Sequence, residues 1–273
     1  MRRVTHLVLP LLLVALVTAA ARSEGSAAAA HRRTTAPSVV VVPRGRPVQI
    51  AYVGASDIPS FTESFRNAIQ MAIEDHPAVR GFSIQVSELD APCGSPDTAA
   101  ASATVATRIV SNRQNLGVLG NPCSTGERAA LPVYESAGIV AISGSATAGD
   151  LPALAPTVFD RTTVSDPDGF EAWYATVETL PSDLAFVEDY EAEFDSTPTV
   201  YADLYYDAAS LLLRRLSQIS RLDRDGNLVV DRARLASAVR ATRWYRGVSC
   251  RVTLDSSGNR VNDPAALAAC GQG

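Results

Sequence analysis

The sequence predicts an α/β fold: a doubly wound parallel sheet with helices on both faces. From Val48 to Asp166, short runs rich in β-branched residues alternate with helical stretches, and each unit is long enough for a crossover between parallel strands. The chain is 47% hydrophobic and 19% charged, which is ordinary for a globular protein. These observations favour a substantial core in one or two domains.

The elements are assigned in chain order. Strands are predicted for VQIAYVG (48–54), FSIQVSEL (82–89), LGVLG (116–120), GIVAIS (138–143) and TVFDRT (157–162). The intervening helices are predicted over 60–75, 95–111 and 124–137, with a short turn and helix at 147. After Asp166 a strand-like run, AWYATVE (172–178), precedes helices at about 182–194, 198–221 and 231–241. The final VSCRVTLDSSGNRV predicts paired strands around the turn at 256–259.

The N-terminal region predicts export. Arg2 and Arg3 precede a short apolar run and then small residues, so residues 1–21 are assigned as a signal peptide. No later run is apolar over about 18 residues, so the mature chain is expected to be soluble, periplasmic or extracellular. No cysteine follows the apolar run, which disfavours a lipoprotein anchor. Residues 22–46 are Ala-, Ser-, Thr-, Arg- and Pro-rich and are assigned as a low-complexity tether.

Four cysteines in an exported chain indicate disulfides rather than a metal site. Cys93, Cys123, Cys250 and Cys270 allow three pairings. We favour Cys93 with Cys123 and Cys250 with Cys270, because each closes a short sequence separation that the predicted fold can bring together. Four unpaired thiols are the alternative.

One edge of the predicted sheet has the character of an anion site. Ligands of such sheets bind at the carboxyl ends of the strands, where helices begin. Ser60 with Glu63, Ser124 with Glu127 and Thr147 with Asp150 match capping boxes, and Ser95 caps a helix before Pro96. Helix-start amides there would suit a small carboxylate, although such caps are also common on helices without ligands.

The motifs of this edge resemble a known family. VLGNPCSTGERAALPVYESAGIVAISGSATAGDL (118–151) is similar to the segment of the type I periplasmic solute-binding proteins of branched-chain amino acid (leucine/isoleucine/valine) ABC importers that carries their loop disulfide, ligand-binding serine and Ser-x-Ala-Thr turn. The similarity extends from VQIAYVGA (48–55) through FDRTTVSDPDG (159–169). It resumes in ETLP, FVEDYEAEF, VYADLYYDAASLL and GNLVVDRARLASAVRATRWYRGVSCRVTLDSSGNRV.

The resemblance implies a ligand set. Ser124, with its amide, and Thr147 would hold a ligand carboxylate, and the Ser145 carbonyl and the Thr147 hydroxyl would receive an ammonium group. Thr125 and Ala146 complete the candidate set. Phe61 would supply an aromatic wall, or would simply face the core. Glu127 departs from a carboxylate site because its charge would oppose an anion, and if it folds back onto Ser124 as a cap, the serine hydroxyl is also partly engaged.

The resemblance also implies a missing part. Family members have two lobes, and the motifs that flank lobe II are nearly adjacent here. We therefore assign 47–247 to lobe I, 166–180 to a residual crossover where lobe II would be inserted, and 248–273 to C-terminal strands and a disulfide tail. A solute held from one side is expected to bind weakly.

Two functions follow from this reading. The first is an exported substrate-binding component that delivers an amino acid or similar small amphipathic solute to the membrane permease of an ABC importer. The second is a single-lobe sensor or protein-interaction module that no longer binds amino acids. Loss of a lobe could also expose an apolar face that a homodimer covers.

Other classes are disfavoured. The net charge of −5 argues against nucleic acid. Of the three histidines, His6 and His31 fall before the fold, so His76 alone is available for a catalytic or metal site, and we expect no enzyme, metal or cofactor. Asp223–Asn227 lacks the EF-hand pattern and is predicted to be a helix–helix turn. The Arg-rich run 232–246 is predicted to be a solvated helix face, with a docking surface for a partner as the alternative.

Overall fold

A computed structural model describes residues 38–165, 170–268 and 270, without the side chains of 170–173, 181 and 266. These residues belong to one compact unit. The predicted signal peptide 1–21 and most of the predicted tether lie outside the described residues. So does the DPDG segment at 166–169.

The secondary structure follows the predicted alternation. The strands are β1 (Val39–Val42), β2 (Val48–Gly54), β3 (Ala78–Val79), β4 (Phe82–Asp90), β5 (Asn115–Leu119), β6 (Val140–Ser143), β7 (Phe159–Arg161), β8 (Arg221–Leu222), β9 (Leu228–Asp231), β10 (Tyr245–Gly247) and β11 (Cys250–Val252). The helices are α1 (Pro59–Asp75), α2 (Thr98–Ser111), α3 (Ser124–Ala137), α4 (Leu151–Leu154), α5 (Phe170–Val177), α6 (Pro181–Phe194), α7 (Ala202–Ile219), α8 (Arg232–Arg240) and α9 (Pro264–Ala268).

The main sheet has the order β3-β4-β2-β5-β6-β7 and is parallel except for the β3–β4 hairpin. From β2 the chain crosses to β4 on one side, and from β4 it crosses back over β2 to β5. Because crossovers are right-handed, α1 lies on the opposite face from α2 and α3. The doubly wound parallel sheet is therefore confirmed, and its order reverses between β2 and β5.

The helices cover the sheet in two packed groups. Helix α1 packs along α7 and helix α2 along α3, while α8 packs against α7 and the β6–β7 end of the sheet. The central strands are buried along their length, because both faces are covered. Tyr52, Tyr134 and Tyr205 are among the largest fully buried side chains.

Two segments differ from the prediction. Residues 39–42, assigned to the tether, form strand β1, which pairs antiparallel with β9 and buries Val40 and Val42. AWYATVE, expected to be a strand, lies in helix α5 and the turn after it. Its β-branched and aromatic residues favour a strand locally, but Tyr174 and Val177 are one helical turn apart and both pack towards Leu204 of α7, so tertiary contact decides the conformation.

Two smaller predictions are also wrong. Asp223–Asn227 is not a helix–helix turn but the loop between the antiparallel strands β8 and β9, closed by the Asp223 carboxylate. The Arg-rich run is not simply solvated. Arg232 is buried and donates to the carbonyls of Arg113 and Asn115, and Arg240 binds Asp160 at 2.5 Å.

The C-terminal residues dock on the β7 edge. Strands β10 and β11 pair, and a bridge between Leu254 and Arg260 closes the predicted turn at 256–259. Gly258, at φ +89°, accepts a hydrogen bond from the Arg161 amide, and a Cβ at Gly258 would lie 2.3 Å from the Phe159 carbonyl oxygen. Only glycine permits that approach. The predicted Cys250–Cys270 disulfide is present, with Cα atoms 5.3 Å apart.

Candidate functional site

The candidate site lies where the strand order of the main sheet reverses. Strand β2 leads into α1 on one face and β5 leads into α3 on the other, so the loops at the carboxyl ends of these neighbouring strands turn to opposite faces of the sheet. Open α/β sheets bind their ligands at such a switch point. Phe61 lies in the first turn of α1, and Ser124 and Thr125 lie in the first turn of α3.

Three loops of this rim are tied together. The carboxylate of Asp57, after β2, accepts hydrogen bonds from the amides of Cys93 and Gly94, after β4, at 2.7 to 3.0 Å. These bonds hold the pKa of Asp57 below its usual value. The predicted disulfide between Cys93 and Cys123 is present, with Cα atoms 5.6 Å apart, and links the β4 loop to the start of α3. The rim is thus fixed before any ligand arrives.

The start of α3 presents uncapped amides. Cys123 is the N-cap residue, with extended backbone, and its side chain is committed to the disulfide, so no described side chain caps the helix. The first intrahelical bond runs from the Glu127 amide to the Cys123 carbonyl. The amides of Ser124 and Thr125 precede it and, like the first amides of any helix, have no acceptor within the helix. They are suitable donors for an anion.

The loop after β6 lies directly beside this helix start. The Ser124 hydroxyl accepts a hydrogen bond from the Ala148 amide at 3.1 Å, which brings Ser124 next to Thr147. The Ser145 hydroxyl donates to the Pro122 carbonyl at 2.9 Å. The predicted residues of the two loops therefore meet at one rim, with Ser124, Ser145 and Thr147 half-buried and Thr125 exposed.

Ala146 is an exception within this loop. Its side chain is fully buried, its amide donates to the Ser143 hydroxyl at 3.0 Å, and its carbonyl accepts from Arg161 at 3.0 Å. Every polar group of Ala146 is thus engaged inside the protein. We therefore remove Ala146 from the candidate ligand set.

Arg161 is the main residue that sequence reasoning missed. It is fully buried at the end of β7, and its guanidinium donates to the carbonyls of Ala146 and Ala148 and to the Asn259 side chain. It therefore fixes the turn that carries Thr147 and places a positive charge beneath it. The sequence placed Arg161 at the end of a predicted strand, but it did not reveal the partners of its side chain.

An aromatic stack supports the rim from within the core. Tyr205 donates to the Gly120 carbonyl, pairs with the Ser145 hydroxyl at 3.1 Å and stacks on Phe65 with ring centroids 4.3 Å apart. Phe61 packs edge to face on Phe65 at 5.9 Å and is only half-buried. Phe61 thus packs against the core, which agrees with the core-facing alternative. The rest of its ring remains exposed at the start of α1.

Glu127 does not occupy the place that its sequence position suggested. Its side chain is fully buried, turned towards the end of β5, where it accepts from the Asn121 amide at 2.7 Å. A Cβ at Gly120 would lie 2.7 Å from the carboxylate, so the approach requires glycine. Burial raises the pKa of Glu127 to about 7. The Glu127 side chain therefore does not engage the Ser124 hydroxyl. Near neutral pH the Glu127 carboxyl group is partly protonated and so partly uncharged.

The four predicted caps are wrong. None of α1, α2, α3 and α4 has a side-chain N-cap hydrogen bond, whereas the Asp231 carboxylate accepts from the first amides of α8 and the Asp263 carboxylate accepts from the Ala265 amide of α9. Each helix starts at a different residue from the one that its capping box requires, and Ser124 is the first helical residue of α3. The Ser124 hydroxyl accepts from the Ala148 amide instead, and the Ser95 hydroxyl accepts from the Asp97 amide, which precedes the first residue of α2. The uncapped starts leave more amides available than the prediction assumed.

Comparisons with known proteins show the fold. No protein-family model and no curated protein matches the sequence. A leucine binding protein from Thermotoga maritima matches at TM-score 0.63 and 15% identity, covering 78% of this chain and 93% of that one. The branched-chain amino acid transporter substrate binding protein of Streptococcus pneumoniae, in complex with isoleucine, matches at 0.61 and 13%, covering 79% and 94%.

A third solved structure extends the range of ligands. The solute binding protein of an ABC transporter from R. palustris, in complex with benzoate, matches at TM-score 0.62 and 12% identity, covering 79% of this chain and 91% of that one. All three neighbours are binding proteins. The chain thus has the periplasmic-binding-protein-like I fold, and the predicted resemblance to branched-chain amino acid binding proteins is confirmed at the level of the fold.

Proposed function

We propose that this chain is an exported binding protein that holds a small carboxylate-bearing solute, such as an amino acid, at the rim formed by α3 and the β6 loop. One observation carries the proposal: the uncapped amides of Ser124 and Thr125 lie at the switch point, beside Thr147. Isoleucine and benzoate, the ligands of two structural neighbours, both carry a carboxylate. Buried Arg161 adds positive charge beneath the site.

The biological role that fits is the substrate-binding component of an ABC importer, acting with its membrane permease. Two disulfides accord with an oxidising compartment outside the cytoplasm. No helix among the described residues is both long and apolar enough to cross a membrane. The homodimer considered from the sequence finds no support in the described residues or in the comparisons.

A calorimetric titration tests the ligand class. We expect leucine, isoleucine and benzoate to bind, and leucinamide and benzamide, which lack the carboxylate, to bind at least about tenfold more weakly, since a hydrogen bond to a charged group contributes about 1.5–3 kcal/mol. Equal affinity for acids and amides would exclude the carboxylate site. No binding of any acid at millimolar concentration would leave the sensor or interaction module as the better account.

Two variants of one residue test the helix-start amides. Ser124→Ala removes the hydroxyl alone, whereas Ser124→Pro removes the hydroxyl and the amide hydrogen. Proline is tolerated at the first helical position, and the extended backbone of Cys123 suits a residue before proline. We expect Ser124→Pro to bind the acids about tenfold more weakly than Ser124→Ala. Similar affinities in the two variants, with unchanged melting temperature, would contradict the role of this amide.

A further inference from the structure

A second cleft lies away from the rim, between α5, α6 and the start of α7. Its volume is about 290 Å³. One end is polar and is lined by Tyr174, Asp183, Thr199 and Asp203, and the walls include Phe186 and Val187. Asp203 and Asp183 are only 2% and 5% exposed, so two carboxyl groups are withdrawn from water here.

The polar end has acceptors without donors. The Tyr174 hydroxyl donates to Oδ1 of Asp203 at 3.1 Å, but Oδ2 of Asp203 and Oγ1 of Thr199 are buried and have no hydrogen-bond partner among the described residues. The Asp183 carboxyl group is within hydrogen-bonding reach of Asp203. Two ionised carboxylates cannot donate to each other, so they repel unless a proton or a cation lies between them.

Arg260, the buried cation whose charge acts on Asp203, already has other hydrogen-bond partners. Arg260 donates to the Ser249 hydroxyl at 2.7 Å and to the Ser249 carbonyl at 2.6 Å. The Ser249 hydroxyl donates in turn to Asp207, which also accepts from the amides of Val248 and Ser249. Arg260 thus balances the charge of Asp207, and the pair Asp183–Asp203 is left with excess negative charge.

We propose that this cleft binds a small primary ammonium ion with a short alkyl chain. The ammonium group has three N–H donors, and the cleft offers carboxylate oxygens of Asp183 and Asp203 and the Thr199 hydroxyl oxygen as acceptors. The apolar walls suit the alkyl chain. A metal ion is a poorer match, because the described residues contain no group of three or more His, Cys, Asp and Glu side chains that could hold one. The cleft is lined by other residues than the rim at α3 and the β6 loop. An alkylammonium ion has no carboxylate, so we expect it not to bind at that rim.

Protons should compete with the ammonium ion. Burial raises the pKa of Asp183 to about 6, and burial together with the neighbouring Asp183 and Asp207 charges raises that of Asp203 well above its usual value. Tyr174 and Glu178 face the pair from α5 and its C-terminal end, Asp207 from α7, and Arg260 from the C-terminal segment. Binding should therefore release a proton, and affinity should fall as the pH drops below about 6.

The test uses n-butylammonium chloride on the full chain, followed by melting temperature and calorimetry. We expect a saturable rise in melting temperature with n-butylammonium and none with tetramethylammonium, which has no N–H donor, or with butyrate. Calorimetry at pH 7 in two buffers of different ionisation enthalpy should show proton release. The idea fails if n-butylammonium acts no differently from tetramethylammonium.

Variants locate the site. Asp203→Asn should weaken n-butylammonium binding at least about tenfold, and Asp189→Asn, an exposed position on α6, should leave it unchanged. If Asp203→Asn does not fold, Thr199→Val removes one acceptor without altering charge and should weaken binding several-fold. Ser124→Pro should bind n-butylammonium as the wild type does, which separates this site from the proposed function. Unchanged binding in both Asp203→Asn and Thr199→Val would overturn the assignment.

Discussion

Arg260→Met is expected to lower the free energy of unfolding by about 3–5 kcal/mol, because it removes one partner of a buried charge network. The guanidinium is 3% exposed and donates to the Thr162 carbonyl at 2.9 Å as well as to Ser249, which relays to Asp207. Without Arg260, the buried Asp207 carboxylate loses the neighbouring positive charge, and the carbonyls of Thr162, Ser249 and Arg251 lose a hydrogen-bond donor. Even now, burial raises the pKa of Asp207 to about 6.

Denaturant unfolding measures this effect. Arg246→Met is the matched control, because Arg246 is exposed on β10 in the same C-terminal segment. The control should change the free energy by about 0.5 kcal/mol or less. If the two variants unfold at the same denaturant concentration, Arg260 does not hold the C-terminal segment to α7 and the sheet as described.

Glu127→Gln is expected to remove the contribution of Glu127 to the pH dependence of stability between pH 5 and 8. The pKa of Glu127 is raised from 4.5 to about 7 by burial, so between these values the folded protein keeps a proton that the unfolded chain loses. The stabilisation from this group is complete below about pH 4.5 and is lost as the pH rises through 7. Over that window the wild type should lose up to about 3 kcal/mol relative to the variant.

Unfolding curves at several pH values test this directly. Asp160, Asp183 and Asp207 also have raised pKa values and contribute a pH dependence of the same sign, but they are present in both proteins and cancel in the difference. Glu63→Gln, which changes an exposed carboxylate on α1, should parallel the wild type. A constant difference between wild type and Glu127→Gln from pH 5 to 8 would show that Glu127 is not buried against Asn121.

The β-strands and helices of the main sheet could be predicted because their signals are local. Helix α3 begins and ends at the predicted residues, Ser124 and Ala137, since a periodic apolar pattern lies between a Pro-Cys loop and Gly138. Gly138 ends the helix in a left-handed conformation at φ 64°. The rim that carries the candidate site could also be predicted, because alternating strands and helices bring several helix starts to one edge of the sheet.

The details of the site could not be predicted because they depend on distant partners. The hydroxyl of a serine in a capping box can accept from an amide of its own helix or from an amide of another loop. The Ser124 hydroxyl accepts from the Ala148 amide, which lies in the loop after β6. Arg161 and Arg260 bond to partners 98 residues away in the chain. Strand β1 pairs with β9, almost 200 residues later in the chain. The sequence around its four valines therefore gave no indication that they form a strand.

The measurement that tests the central claim most directly is the backbone amide NMR spectrum during titration with isoleucine or benzoate. If helix-start amides hold a carboxylate, the amide protons of Ser124 and Thr125 should shift downfield at saturation, more than amides elsewhere, and leucinamide should not reproduce the shift. Isoleucine or benzoate binding that leaves both amides unmoved, or whose largest shifts lie on other elements, would contradict the account.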